Sequence, residues 1–204
     1  MRIQTLTVVV CLLAGASIVS AQDAIQGGVL GGPGWSSLTV KAEGDFPTFS
    51  GRSAMSIGAF LVTPAARGIG LEPEVLFTLK GGKAAQDDLE VMFRLTSLEV
   101  PVLLRIGPSV PQKTAFHVLV GPTFGFPLKA RGKANAPGLI LDEDVRDQVR
   151  DFELGLTVGA GVDVGRLRFD GRYTWGLTNL STDTSGNPST KSRMFTVLAG
   201  VRLW

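Results

Sequence analysis

The sequence has few residues of the kinds that carry redox, nucleophilic or metal chemistry. Its 204 residues include one cysteine, Cys11, and one histidine, His117. A disulfide within the chain would need a second cysteine, and one histidine among many serines and aspartates is not a catalytic motif. We therefore expect no enzymatic activity, no cofactor and no bound metal.

An excess of charge of either sign is also lacking. The formal net charge is +2 at pH 7, and charged residues make up 19% of the sequence. The sequence has no basic run of the kind that binds a phosphate backbone, so we expect no nucleic-acid partner.

Long hydrophobic runs are confined to the first residues. Arg2 precedes an apolar stretch over residues 6–18, and small residues follow up to Ala21. This order is typical of a signal peptide cleaved after residue 21, and cleavage there would also remove Cys11. No later segment reaches about 18 uncharged apolar residues, so no helical span is predicted. The sequence thus predicts a signal peptide over residues 1–21 and one exported domain over residues 22–204.

Apolar and polar residues alternate over most of the remaining sequence, as they do in strands with two different faces. In residues 152–164, Leu154 and Val158 share one face, and Glu153 and Thr157 share the other. The same alternation predicts seven further strands, over residues 24–40, 53–62, 69–80, 98–106, 114–129, 167–178 and 193–204.

The number and spacing of these strands indicate a transmembrane barrel. Eight is an even number, which an up-and-down barrel with both chain ends on one side of the membrane requires. Short and long connections alternate, and the longer ones fall at residues 41–50, 81–88, 131–150 and 181–191. We therefore predict an all-β fold, an eight-stranded antiparallel up-and-down transmembrane β-barrel.

Alternation alone does not decide which face points outward. A soluble lipocalin-like ligand-binding barrel would turn the apolar face inward, and it is the alternative fold. Glycines cluster on the polar face, at Gly155, Gly159 and Gly161, where they would make room for larger neighbours inside a narrow barrel. A charged side chain that faces lipid at the midplane costs roughly 2–4 kcal/mol. Both points favour the membrane arrangement, with the polar face around the lumen.

Four segments occur in order along the chain: LEPEVLFTLKGGK at residues 71–83, LEVPVLLR at 98–105, LVGP at 119–122 and FDGRYTWGLTNL at 169–180. Together they resemble the outer-membrane β-barrel domain family, whose small bacterial members are described as porin-like or PorT-like. The resemblance implies a location in the bacterial outer membrane and contact with its lipids. It also implies assistance from periplasmic chaperones and the barrel-insertion machinery. It implies no particular activity and no other partner.

One position departs from the pattern of such barrels, which usually end in an aromatic residue on the outward face of the last strand. Trp204 shares the phase of Arg202, whereas Val201 and Leu203 share the outward phase. Either Trp204 is an additional interfacial residue or the strand shifts by one residue at its end.

The polar face carries the candidate functional residues. Ten of them form the predicted lumen network: Glu72, Glu74, Glu99, Arg105, His117, Glu153, Asp163, Arg168, Asp170 and Arg172. Arg202 is expected on the same face, as are Lys80 and Lys129 near the loop ends. Buried charges need partners, because otherwise the cost of removing them from water is not offset. We interpret the network as structural filling of a barrel with a structural or interaction role; the alternative is a narrow porin-like conduit for ions or small solutes.

Acidic residues are concentrated in the long loop predicted at residues 131–150. The run at residues 142–144 could bind a divalent cation, but Arg146 and Arg150 follow it closely. We interpret this segment as a solvated loop that neutralises its own charge.

Overall fold

The computed structural model describes residues 25–41, 50–63, 67–86, 89–108, 114–136, 139–179 and 189–204. Within these ranges the strands are β1 (Gln26–Lys41), β2 (Ser50–Val62), β3 (Ile69–Gln86), β4 (Leu89–Ile106), β5 (Thr114–Ala136), β6 (Leu139–Asp144), β7 (Glu153–Val164), β8 (Leu167–Gly176) and β9 (Ser189–Arg202). A 3₁₀ helix covers Arg146–Gln148. No helix in these ranges is long and apolar enough to cross a bilayer. The predicted signal peptide and the predicted loop residues 42–49 and 181–188 lie outside the described residues.

Eight of these strands close into a barrel. β1 to β5 pair antiparallel in chain order, β5 pairs with β7, and β8 and β9 continue the sheet. β1 pairs with β9, from Gly28 opposite Arg202 to Lys41 opposite Ser189, and so joins the two edges. β6 pairs with β5 at residues 131–136, where it forms a hairpin beyond the barrel wall. The predicted eight-stranded antiparallel barrel is confirmed, and its closed ladder satisfies the backbone groups as a lipid environment demands.

The two ends of the barrel differ in their connections. The short β2–β3, β4–β5 and β7–β8 connections lie at one end, which we call the turn end. Arg67 (φ 56°) and Gly165 (φ 60°) adopt the left-handed backbone conformation there, which suits tight turns. The β3–β4 and β5–β6 hairpins lie at the opposite end, which we call the hairpin end.

The outer face of the wall is apolar. Along β7, the side chains of Leu156, Val158 and Val164 are 38%, 37% and 45% exposed, whereas Glu153 and Asp163 are buried. The other barrel strands also carry exposed large apolar side chains on their outer faces, among them Val29, Ile57, Phe77, Leu104, Val118, Phe169 and Val197. The soluble lipocalin-like alternative is therefore wrong, because it would bury these side chains and leave the acids in water.

The β3–β4 connection is shorter than predicted. We expected a loop over residues 81–88, but β3 continues to Gln86 and β4 begins at Leu89, not at residue 98. Gly81 marks a close approach of two strands and not a loop, because a Cβ there would lie 2.1 Å from the Phe93 carbonyl oxygen. Glycine was therefore a misleading loop signal at this position.

The long loop predicted over residues 131–150 is partly wrong. β5 continues to Ala136 and pairs with β6, so much of the segment is a hairpin. The sequence of this hairpin does not alternate between apolar and polar residues, so the pattern that marks the other strands is missing here.

Lys129 points away from the lumen, contrary to the prediction. Thr96 pairs with Lys129, but the next residue, Ser97, pairs with Pro127, so β5 contains one extra residue at this point. Such a bulge reverses the alternation of side chains. Lys129 is accordingly exposed, and Ala130 is buried.

Trp204 lies on the outer surface at the β1–β9 seam despite its phase. β9 ends at Arg202, and Leu203 and Trp204 are both exposed. The Leu203 N–H donates to the Gly27 carbonyl oxygen at 2.8 Å. The indole packs over Gly27, where a Cβ would lie 2.3 Å from Trp204 Cζ2. The regular alternation thus stops at Arg202, which frees the last side chain to turn outward.

We expect an arginine on the outer face to destabilise the barrel according to its depth. Val158 lies midway along β7, and Val164 ends that strand at the turn. Val158→Arg should lower the free energy of unfolding by roughly 2–4 kcal/mol and Val164→Arg by roughly 0–1 kcal/mol, because water and headgroups reach a charge at the rim. Guanidinium chloride unfolding in phospholipid vesicles measures both values. Equal losses at the two positions would contradict a lipid-facing outer surface.

Candidate functional site

Glu72 of β3 is the centre of the charge network nearest the turn end. Its side chain is fully buried, and a carboxylate oxygen lies 3.1 Å from Arg105 Nη1. Arg168 Nη2 lies 2.7 Å from the same carboxylate. Arg105 also binds the carboxylate of Asp163 on β7. Because β3 and β8 stand on opposite sides of the eight-stranded wall, the Glu72–Arg168 pair crosses the lumen.

His117 of β5 lies between two aspartates. Its Nε2 is 2.8 Å from Asp170 Oδ1, and its Nδ1 is 3.3 Å from Asp163 Oδ2. Only the Nε2 contact is a hydrogen bond, and Arg168 Nη2 lies 3.1 Å from the same Nε2. Nδ1 is buried and has no hydrogen-bond partner among the described residues. Gly161 lies opposite His117 on β7, and a Cβ there would be 2.6 Å from His117 Nε2. Glycine at this inward position therefore leaves room for the charged groups.

Arg172 of β8 makes a second crossing of the lumen. Its guanidinium binds Glu74 of β3 through two parallel contacts, with Nη1–Oε2 at 2.5 Å and Nη2–Oε1 at 2.8 Å. Nη2 also lies 2.6 Å from Asp170 Oδ2. The two-point geometry fixes the orientation of both side chains, as paired contacts between an arginine and a carboxylate do.

One wall of the lumen is apolar, which the sequence analysis missed. Inward side chains of β1, β2, β3 and β9 form a buried cluster of Leu30, Phe60, Val62, Leu76 and Leu198. The Arg168 guanidinium carbon lies 4.7 Å from the centre of the Phe60 ring, a cation–π contact that joins this wall to the charge network. Short apolar runs at residues 59–62, 75–77 and 197–199 were the available signal, because a strand with two apolar faces loses its alternation.

Lys80 lies well inside the lumen and not near a loop end, contrary to the prediction. Its Nζ is 2.9 Å from Glu99 Oε1 and 2.6 Å from Glu153 Oε2. The hydroxyl of Ser192, on β9, donates to the carboxylate of Glu153. The prediction failed because β3 continues to Gln86 and thereby carries Lys80 into the wall.

The structure places all ten predicted network residues inside the barrel, and each is buried. Eight of them form the connected group near the turn end, while Glu99 and Glu153 join Lys80 nearer the hairpin end. Arg202 adds a further cation, with Nη2 3.4 Å from Asp163 Oδ1. The six carboxylates thus face five basic side chains and His117, which brings the lumen close to neutrality.

A small cavity lies at the Lys80 end of this network. A cavity of about 10 Å³ lies beside Lys80, with Glu99, Thr123, Gly125, Glu153, Gly155 and Thr174 as its other neighbours. A water molecule needs about this much space and two or more polar partners. The cavity therefore suits a single bound water.

Apolar side chains lie on the β4–β5 side of the lumen at the hairpin end. Leu95 and Ala130 point inward and pack with Val149, and Phe93 and Val145 pack against them. The Val145 N–H donates to the Ala130 carbonyl oxygen at 3.0 Å, which holds the segment after β6 against β5. We call this group the mouth cluster.

The acid-rich segment after β6 is partly neutralised by its own arginine. Arg146 Nη2 lies 2.5 Å from Asp151 Oδ1, and the Arg146 backbone N–H donates to Asp144 Oδ1 at 2.9 Å. Across the described part of the chain, no group of three or more His, Cys, Asp or Glu side chains is placed to hold a metal ion.

An apolar exterior around a polar, filled lumen is the architecture of small outer membrane barrels. The family described as "outer membrane protein beta-barrel domain" matches residues 20–182. The chain belongs to this family. The protein therefore resides in the bacterial outer membrane, where lipid covers the apolar exterior.

Similar solved structures are outer membrane proteins as well. Neisserial surface protein A has a TM-score of 0.51 at 11% identity, over 87% of this chain and 98% of that chain. OprG from Pseudomonas aeruginosa has a TM-score of 0.48 at 13% identity, over 89% and 97%. Ail of Yersinia pestis has a TM-score of 0.44 at 13% identity, over 87% and 98%. The likeness to Neisserial surface protein A shows a shared fold. A comparison with curated protein sequences gives no match.

Removal of Lys80 should destabilise the barrel strongly. Lys80→Met should lower the free energy of unfolding by about 3–5 kcal/mol, because Glu99 and Glu153 would be left as buried negative charges without a cation. Denaturant unfolding in phospholipid vesicles measures the loss. The triple variant Lys80→Met/Glu99→Gln/Glu153→Gln should regain most of it, since no charge is left unpaired.

The matched control is Lys191→Met, which removes an exposed lysine of β9. It should change stability by less than about 0.5 kcal/mol. A Lys80→Met loss as small as that of the control would show that the lumen charges do not stabilise the fold.

Proposed function

We propose that this protein is a closed outer membrane barrel that acts through its outer surface and its external hairpins, and not as a pore. The observation that carries the proposal is the set of ion pairs that cross the lumen. Glu72 and Glu74 of β3 bind Arg168 and Arg172 of the opposite strand β8. The interior of an eight-stranded barrel is just wide enough for side chains to fill, and these pairs occupy it.

The mouth cluster and the apolar wall support the same conclusion. In barrels of this class the short turns face the periplasm, so the hairpin end faces the outside of the cell. On the β4–β5 side, Leu95, Ala130 and Val149 then lie between the charge network and the external water. An ion that passed these apolar side chains would lose part of its hydration shell, which is costly.

A non-enzymatic role agrees with the position of His117. The ring is buried between Asp163 and Asp170 in the lumen, where a substrate in water or lipid cannot reach it. The proposal therefore assigns the ten network residues a structural role.

A narrow conduit is the competing proposal. Polar groups extend from Glu72 near the turn end to Glu153 near the hairpin end, and a water-sized cavity lies beside Lys80. A moving ion would have to separate the Glu74–Arg172 pair, whose two contacts are both 2.8 Å or shorter. We therefore prefer the closed barrel.

Planar bilayer recordings distinguish the two proposals. The wild-type barrel should give no steady channel openings under conditions in which a water-filled porin opens. Glu72→Ser/Glu74→Ser/Arg168→Ser/Arg172→Ser should produce openings, because short neutral side chains replace both pairs that cross the lumen, whereas Lys191→Met should stay silent. Steady openings of the wild type would contradict the closed barrel and support the conduit.

We also infer that residues 1–21 direct export and that barrel-insertion machinery and periplasmic chaperones assist assembly. The mature protein purified from outer membranes should begin at Gln22, because signal peptidase cleaves after a small residue such as Ala21. Intact-mass measurement and N-terminal sequencing check this. A mature chain that retains Met1 would overturn the assignment.

A further inference from the structure

Three cations form a cluster on the outer surface of β4 and β5. Arg94, Lys129 and Arg131 are all exposed. Arg94 lies directly opposite Arg131 in the β4–β5 ladder, and Lys129 lies opposite Thr96. Like charges at directly opposed positions destabilise a sheet, because their Cβ atoms are only about 5 Å apart. A bound anion would remove this repulsion.

The bulge in β5 creates the cluster. Without the extra residue between Pro127 and Lys129, the alternation of β5 would turn Lys129 and Arg131 toward the lumen. A bulge re-aims side chains and costs ladder hydrogen bonds, and bulges are common next to functional sites. Here the bulge brings two cations from β5 to the outside, beside Arg94 of β4.

The cluster lies at the height of the lipid headgroups. Ile106 is the outward residue that ends β4 at the turn end, and Arg94 is about twelve residues away from it along the strand. At about 3.4 Å per residue and a strand tilt of about 40°, the two residues differ in height along the barrel axis by about 30 Å. The apolar band of an outer membrane barrel is about 25 Å tall. The three charges therefore lie just beyond the external edge of the band.

The positive charges of the cluster are not neutralised within the described part of the chain. The side chains of Arg94, Lys129 and Arg131 form no ion pair with a described residue. Asp144 faces Arg131 across the β5–β6 ladder, but its Oδ1 accepts the Arg146 backbone N–H at 2.9 Å. The cluster is thus available to an external anion.

We propose that Arg94, Lys129 and Arg131 bind the phosphate groups of an anionic glycolipid in the outer leaflet. Arginine offers a planar set of donors that matches phosphate, and lysine adds a point charge. Phe126 and Leu128 are exposed directly below the cluster, where they contact acyl chains. Cations above an apolar surface match a ligand with a phosphate head and acyl tails, whereas free phosphate would use the cations alone. The proposal depends on the membrane location and not on the closed lumen.

Native mass spectrometry of the full-length barrel in detergent micelles tests the site, with bisphosphorylated lipid A as the probe. Wild-type protein should retain lipid A, and Arg94→Gln/Lys129→Gln/Arg131→Gln should bind it about a hundredfold more weakly, since each cation near an anionic lipid surface contributes roughly fivefold. The control Arg67→Gln/Arg166→Gln removes two exposed cations at the turn end, on the other side of the membrane, and should bind like the wild type. The heat-modifiable gel shift reports whether each variant is folded.

Three results would overturn the proposal. They are equal binding of lipid A by the cluster variant and the wild type, equal binding of dephosphorylated lipid A by the wild type, and displacement of lipid A by equimolar inorganic phosphate. If the triple variant does not fold, Lys129→Gln replaces it and should weaken binding roughly fivefold. A conducting wild-type barrel would contradict the closed lumen but would leave this site untouched.

Discussion

A charge enclosed in a narrow barrel must find a partner of opposite sign, and most of this structure follows from that requirement. Glu72 is fully buried and is bound by arginines from two other strands, one of them on the far side of the lumen. Each ion pair that crosses the lumen fixes the distance between two opposite strands of the wall. The same ion pairs span the interior, so the network that stabilises the barrel also occupies it.

The outer face obeys the opposite requirement, because lipid offers no partner for a charge. Alternation along each strand satisfies both demands at once, with Val158 outside and Thr157 inside as neighbours on β7. The β5 bulge is the point where this rule changes. Beyond it, Lys129 turns outward and Ala130 turns inward to join the mouth cluster, so one inserted residue helps both to build this cluster and to place cations at the membrane surface.

Sequence reasoning succeeded where burial constrains the residue type and failed where it does not. Residues 152–164 could be placed because lipid lies on one side of the strand and the lumen on the other, so every second residue had to be apolar. The extension of β4 was missed because its apolar phase changes: Phe93 and Leu95 belong to the mouth cluster, whereas Leu98 begins the outward apolar phase that marked the predicted strand. The extensions of β3 and β5 were missed because glycine and lysine interrupt the alternation there. Lys80 was misplaced because its distance from the loop depended on where β3 ends.

The sequence by itself determined the number of strands in the barrel wall, their antiparallel closure, the direction of the two faces and the ten network residues that face the lumen, because the period of two along a strand is a local property. The tertiary structure alone decided which charges pair. Glu74 and Arg172 are separated by 98 positions along the chain, and the register of four intervening ladders brings them together. The outward turn of Lys129 and the position of Trp204 over Gly27 also depend on the pairing partner of each strand. A bulge or a strand end is set by the hydrogen bonds between two paired strands. The sequence of one strand describes only one of the two partners.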